Sequence, residues 1–211
     1  MRRLPLFPLP VVLFPGDVMP LHIFEPRYRR MVARCLEYDR RFGLLFHDSD
    51  RQGPFAMEPD RVGTVAEIGE FRILPDGRSL LMAKGIERFR IVDGIEAELP
   101  YYEALVEPLH DPPAENAEAL RLQRDHVMGQ FERVLRAMDV GADRSATDPT
   151  ATPAEGASVP TPAPEGEVSF SLAARIRTDP AWLHELLSTV GESRRLAEIE
   201  ALLKQALGET S

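Results

Sequence analysis

Proline constrains this chain more than any other residue. Of 19 prolines, six fall in residues 1–26 and five in residues 141–167, and each fixes φ and removes a backbone donor. Leu4 to Phe24 alternates short apolar runs with Pro5, Pro8, Pro10, Pro15 and Pro20. That stretch reads as short edge strands and extended turns, with Pro15-Gly16-Asp17 as one turn. After Glu25-Pro26 the period changes. Tyr28, Met31, Val32, Cys35 and Leu36 recur at helical spacing, predicting an amphipathic helix entered through Pro26 and ending near Tyr38. The same prolines interrupt Leu4 to Val12, after the basic Met1-Arg2-Arg3, as the apolar core of a signal peptide, and no apolar run nearby approaches the length of a membrane span.

Arg41 to His47 reads as a strand and Asp48 to Asp60 as a polar loop carrying Gly53-Pro54. From Val62 to Leu109 the signal is β. Gly63 to Leu74 and Ser79 to Ile86 flank Pro75-Asp76-Gly77-Arg78, a hairpin signal because glycine accepts the positive φ the turn needs. Strands at Arg88 to Val92 and Tyr102 to Pro108 are expected next, separated by Asp93-Gly94 and Leu99-Pro100. Six or so short strands with one early helix suggest a small, curled, mainly β domain, closed or half closed to hide its edges.

Pro112-Pro113 ends the β region and opens a helix near Ala114, with Val127, Phe131, Val134, Leu135 and Met138 as its apolar stripe and Gly141 as its stop. Residues 141–167 are rich in Ala, Pro and Thr, carry net charge −4 and hold Val159 as their one large aliphatic. Too little apolar area is present to offset ordering, which predicts a flexible linker. A short helix around Phe170 to Ile176 follows. Thr178-Asp179-Pro180 starts another helix, with Gly191 as its stop, and Leu196, Ile199, Leu202, Leu203 and Ala206 mark the last one. The expected division is a β domain over 1–110, a helix leading into the helical part over 111–140, a linker over 141–167 and a C-terminal helical subdomain over 168–211.

The net charge is −9, with residues 1–110 contributing −2 and the remainder −7. This argues against a surface that grips nucleic acid or anionic lipid throughout. One cysteine, Cys35, excludes an internal disulfide and a Cys-cluster zinc site and suits the cytoplasm. No phosphate-binding loop, nucleophile elbow, His-Glu-x-x-His or Gly-x-Gly-x-x-Gly occurs. Cys35 lies in the apolar stripe of the first helix and reads as a packing thiol. His47-Asp48-Ser49-Asp50 has the residue types of a triad or cation loop, but adjacency does not supply the geometry, so a solvated loop is expected. No catalytic, cofactor-binding or metal-binding residue is assigned. Two surfaces remain. Phe14, Phe24, Tyr28, Phe42 and Phe55 are candidates for holding a polypeptide, since edge strands with apolar flanks capture extended peptides. Arg27, Arg30, Arg34 and Arg41 form a candidate anion or RNA patch, with local pairing to Glu37 and Asp39 as the alternative.

Several longer motifs stand out in order: Leu4-Pro5-Leu6-Phe7-Pro8-Leu9, Phe14-Pro15-Gly16, and Met19-Pro20-Leu21-His22-Ile23-Phe24-Glu25-Pro26-Arg27-Tyr28. They are followed by Gly63-Thr64-Val65-Ala66-Glu67-Ile68, Leu74-Pro75-Asp76-Gly77-Arg78 and Gly85-Ile86-Glu87-Arg88-Phe89-Arg90-Ile91. This series resembles the N-terminal, substrate-binding domain of the Lon proteases, which is distantly related to a domain of cereblon. The resemblance implies an α+β fold: a PUA-like, mainly-β pseudo-barrel with one early helix, then a C-terminal α-helical bundle. It also implies recognition of unfolded or tagged polypeptides, with a protease or chaperone as a partner in trans. It carries over no ATPase or peptidase residue. An RNA-binding PUA-like module using the Arg-rich first helix is the other reading.

Overall fold

The computed structural model describes residues 1–96, 99–143 and 168–208. In chain order the elements are β1 (Arg2–Leu9), β2 (Val18–Ile23), α1 (Pro26–Glu37), β3 (Arg41–Phe46), α2 (Ser49–Gln52), β4 (Val62–Ile73), β5 (Ser79–Ile95), β6 (Tyr102–Pro108), α3 (Ala117–Asp143), α4 (Val168–Ala173), α5 (Pro180–Ser188) and α6 (Glu192–Ala206). The chain groups into two compact units. One comprises Met1–Asp111 with Ala173–Thr189, the other Pro112–Leu172 with Val190–Ser211.

In the first unit the strands lie in the order β2-β5-β4-β3-β1-β6, and β5 pairs with β6 as well. That last pairing closes β5, β4, β3, β1 and β6 into a barrel and leaves β2 as an edge strand on β5. Closure depends on the 17 residues of β5. Its first part pairs with β2 and β4 and its last part with β6, with register shifts at Val65/Ala66, Ile68/Phe71 and Ile91/Asp93. Such bulges bend a strand around a barrel. Asp93-Gly94, expected to separate two strands, lies inside β5 instead. Met57 crosses Gly94 so closely that a Cβ there would lie 2.9 Å from the Met57 Cβ.

The prolines of β1 sit in an interior strand, not at an edge. Arg2 to Leu6 pairs antiparallel with β6, and Leu6 to Leu9 pairs parallel with β3. Each half therefore has one neighbour, and an open side remains for a residue without a donor. The β4–β5 hairpin follows the sequence expectation. Gly77 has φ +80°, its N–H donates to Leu74 O at 2.9 Å, and Leu74 N–H donates to Arg78 O at 2.8 Å.

Strand alternation sorts the apolar residues into two layers. Leu4, Leu6, Leu45, Val65, Phe89, Ile91, Ala104 and Val106 fill the barrel. Gly43 and Gly63 make room for the Phe89 ring, which a Cβ at either position would meet at under 3 Å. Phe7, Phe42, Leu44, Ala66, Ile68, Leu81 and Ala83 face the other way, against Tyr28, Met31, Val32 and Cys35 of α1.

Helix α5 belongs to this unit and not to a contiguous C-terminal helical segment, because the β unit holds both of its ends. Asp179 caps the N-terminus, accepting from Ala181 N at 3.0 Å, and also accepts from Arg51. At the C-terminal end the buried Arg88 donates Nη1 to Leu187 O at 2.8 Å and Thr189 O at 2.9 Å, and Nη2 to Asp111 at 2.6 Å. Between them His184 Nε2 donates to Val62 O at 3.1 Å, with its ring 5.3 Å from that of Phe46. Burial, and then the charge of Arg61, hold the His184 pKa below its ordinary 6.5 against the opposing pull of the Val62 hydrogen bond. Folding therefore favours the neutral ring, and that contribution is lost as pH falls through the lowered pKa. The denaturation midpoint is expected to fall more steeply below pH 6.5 for the parent than for His184→Gln. Parallel curves would contradict this.

The second unit is helical. Asn116 accepts from Ala119 N at the start of α3, and α3 continues through Gly141 to Asp143. The linker expected over 141–167 otherwise lies outside the described residues. Buried Val127, Phe131, Phe170, Leu172, Leu196, Ile199 and Leu203 form its apolar interior. Arg195, fully buried on α6, donates Nε to Ser169 Oγ at 2.9 Å and lies 4.1 Å from the centre of the Phe170 ring. Gly191, expected to end α5, is instead the N-cap position of α6 with φ +95°.

Candidate functional site

Strand β2 and the start of β5 present apolar side chains on both faces. The inward row, Leu21 and Ile23 with Leu81 and Ala83, packs against α1. The outward row places Val18 beside Lys84, Pro20 beside Met82 and His22 beside Leu80. Phe24 follows at the strand end, and Ile73 lies at the tip of the β4–β5 hairpin. Phe24 is 58% exposed, Ile73 67%, Val18 47% and Leu80 43%. Of the exposed large hydrophobics described in the β unit, these four lie along β2, the start of β5 and their shared hairpin end, apart from Met1 and Tyr38, and such grouping distinguishes a binding surface from scattered surface residues.

The backbone edge of β2 is only partly open to a partner. Gly85 N–H donates to Asp17 O at 2.9 Å, which fixes the ladder phase. Met19, Leu21 and Ile23 bond to β5, while Val18, Pro20 and His22 turn their backbone groups outward. Pro20 has no N–H to offer there, so an added strand would lack its central bond and edge pairing is blunted. Recognition at this end must draw mainly on the side chains of the outer face.

The expected aromatic set divides sharply. Phe14, Tyr28 and Phe42 are core residues and cannot contact a partner. Tyr28 packs on Phe7 with ring centroids 4.1 Å apart, beneath the Arg27 guanidinium. Phe55 is half-buried, between His47 at 5.2 Å and Tyr102 at 4.7 Å, with Arg61 over its ring. Phe24, its ring 5.8 Å from that of His22, is the one exposed member of the five. Val18, Leu80 and Met82 complete the surface and escaped the aromatic criterion, while Ile73, exposed at the hairpin, pairs with Ser79 in the register of the inward row. Their signal was the missing polar alternation in Val18 to Ile23 and Ser79 to Ala83, where a half-buried strand should show one.

The arginine set is largely neutralised within the chain. Arg27 bonds Glu25 at 2.8 Å, Arg34 bonds Tyr101 Oη at 3.1 Å and lies 3.5 Å from Glu103, and Arg41 bonds Glu67 at 3.2 Å. Arg30 is exposed. The remaining reactive residue types have structural positions. Burial, reinforced by Asp39, pushes the Cys35 thiol up to about 12, so it is no nucleophile near neutral pH. Asp48 caps the short helix α2, and His47 Nε2 donates to Gly53 O at 2.9 Å. Among the described residues, no group of three or more His, Cys, Asp or Glu could hold a metal ion, and no helix is long and apolar enough to cross a membrane.

Comparison with known proteins agrees with this architecture. The family model for the ATP-dependent protease La (LON) substrate-binding domain matches residues 3–205. A Lon protease of Cytophaga hutchinsonii is 33% identical over 110 residues, covering 51% of this chain and 13% of that protein. A Lon protease of Methylocella silvestris is 25% identical over 197 residues, covering 93% of this chain and 23% of that protein. The chain thus spans less than a quarter of the length of these relatives. Among solved structures, a Lon N-terminal domain protein from Xanthomonas campestris superposes with TM-score 0.63 at 24% identity, covering 95% of this chain and 98% of that one. The N-terminal domain of the Mycobacterium avium complex Lon protease gives TM-score 0.64 at 15% identity over the full length of both. At these identities the structures establish the shared α+β fold, and the family match establishes membership: the chain belongs to the Lon substrate-binding domain family.

Proposed function

We propose that this chain is a polypeptide-binding module without chemistry of its own, serving as a substrate-recognition or adaptor element. Unfolded or tagged polypeptides are its ligands, and a protease or chaperone is its partner in trans. The observation that carries this reading is the exposed apolar outer face of β2 and β5, with Phe24 at its end. Membership of a family described as substrate-binding supports it. Cys35 as the single cysteine is consistent with work in the cytoplasm. The four-arginine RNA surface gains no comparable support, since three of its members hold partners in their own chain.

A fluorescently labelled, reduced and alkylated protein supplies a permanently unfolded probe for anisotropy titration. The parent is expected to bind it at micromolar concentrations. Phe24→Asp combined with Leu80→Asp should weaken binding about tenfold or more, as loss of a central apolar contact does at interfaces, with the thermal midpoint unchanged. Absence of binding by the parent, or equal binding by the double variant, would overturn the reading.

A further inference from the structure

The apolar outer face is bordered by cations without acidic partners. Most described arginines in the β unit bond a carboxylate or a backbone carbonyl: Arg2 holds Glu87, Arg3 holds Glu103, Arg40 holds Ile68 O and Gly69 O, and Arg78 holds Asp76. Arg72 and Lys84 form no such bond among the described residues, and the pairing register puts both on the outer face, Arg72 beside Leu80 and Lys84 beside Val18. Arg29, early in α1 after Phe24, is also exposed and without an acidic partner among the described residues. Arg29 reaches the hairpin turn, where its Nη2 lies 2.6 Å from the place a Cβ on Gly77 would take. The acids nearby offset this only in part. Glu67 stands opposite Lys84 in the β4–β5 register but is held by Arg41, and Glu70 stands in the bulge opposite Met82. A chain of net charge −9 thus keeps Arg72 and Lys84 on this apolar face, and Arg29 at its hairpin end, without a carboxylate bond among the described residues.

We propose that this face selects extended segments in which acidic residues flank apolar ones, the apolar side chains lying over Pro20, Met82 and Leu80 and the carboxylates reaching Lys84, Arg72 and Arg29. This rests on the polypeptide-binding reading and adds a charge preference to it. Exposed complementary charges act through encounter and register, so the preference weakens as salt screens it.

The test uses the full chain and three labelled peptides that share one apolar sequence flanked by Asp, by Asn or by Lys. Affinity is expected to fall from the Asp to the Asn to the Lys peptide, with about a tenfold span at low ionic strength that narrows as salt is added. Arg72→Glu with Lys84→Glu should reverse the order while leaving the circular dichroism melt unchanged. Equal affinities for all three peptides would overturn the charge preference and leave polypeptide binding standing. A Lys preference in the parent, or an order unchanged in the double variant, would also overturn it. Failure of all three to bind would overturn both readings together.

Discussion

Arg88→Met is expected to destabilise the protein by about 3 kcal/mol, the range for removing one partner of a buried ionic pair, and to loosen α5 first. The guanidinium is 4% exposed and serves three acceptors at once, Leu187 O, Thr189 O and the Asp111 carboxylate. Methionine fills the volume but supplies no donor. Two carbonyls at a helix end and a carboxylate would each lose this hydrogen bond where water is scarce. Denaturant unfolding measures the total, and hydrogen exchange locates it: the amides of α5 after Pro180 should lose protection before those of β3 and β4. Arg88→Lys should fall between, since an ammonium keeps the charge but not the planar fork. A variant within the error of the parent would show that α5 docks without this residue.

Gly85→Ala is the second large effect. Gly85 exchanges hydrogen bonds with the preceding turn, accepting from Gly16 N and donating to Asp17 O, both at 2.9 Å. A Cβ at 85 would overlap the carbonyl oxygen of Phe14 and lie 3.3 Å from the Pro15 Cα. Because the obstruction is backbone, no rotamer change relieves it. The turn must move, and with it Phe14 and the start of β2. About 3 kcal/mol or more is expected, at the upper end for overpacking, and much of the protein should be recovered insoluble. Gly129→Ala is the control. That glycine lies within α3 with open space where a Cβ would go, so alanine should stabilise by about 0.5–1 kcal/mol.

Local chemistry explains what the sequence disclosed. Pro26 at the first turn of α1, Asp76-Gly77 between two apolar runs, and Asp179-Pro180 ahead of α5 each act within a few residues, and each appears where its own preference puts it. Long-range partners determine the rest. Nothing within β1 announces that its prolines lie between β6 and β3, because the open side of each half exists only once both neighbours are placed. The closure of β5 on β6 depends on bulges in a strand that reads as two pieces around Asp93-Gly94. Aromatic composition could not separate Phe24 from Phe14, Tyr28 and Phe42, since the three buried rings owe their burial to packing assembled from distant parts of the chain. The candidate surface was legible only as an interruption of polar alternation, with Val18, Pro20, Leu80 and Met82 turned outward between His22 and Lys84.

The central claim is that polypeptide binds on the outer face of β2 and β5, and hydrogen exchange by mass spectrometry on the full chain, with and without the unfolded probe, tests it most directly. The account expects added protection in peptides covering residues 18–24 and 79–84, absent in the Phe24→Asp, Leu80→Asp variant. Protection confined to the exposed side of α1 around Arg30 and Arg34, or no change anywhere on the β unit, would contradict it.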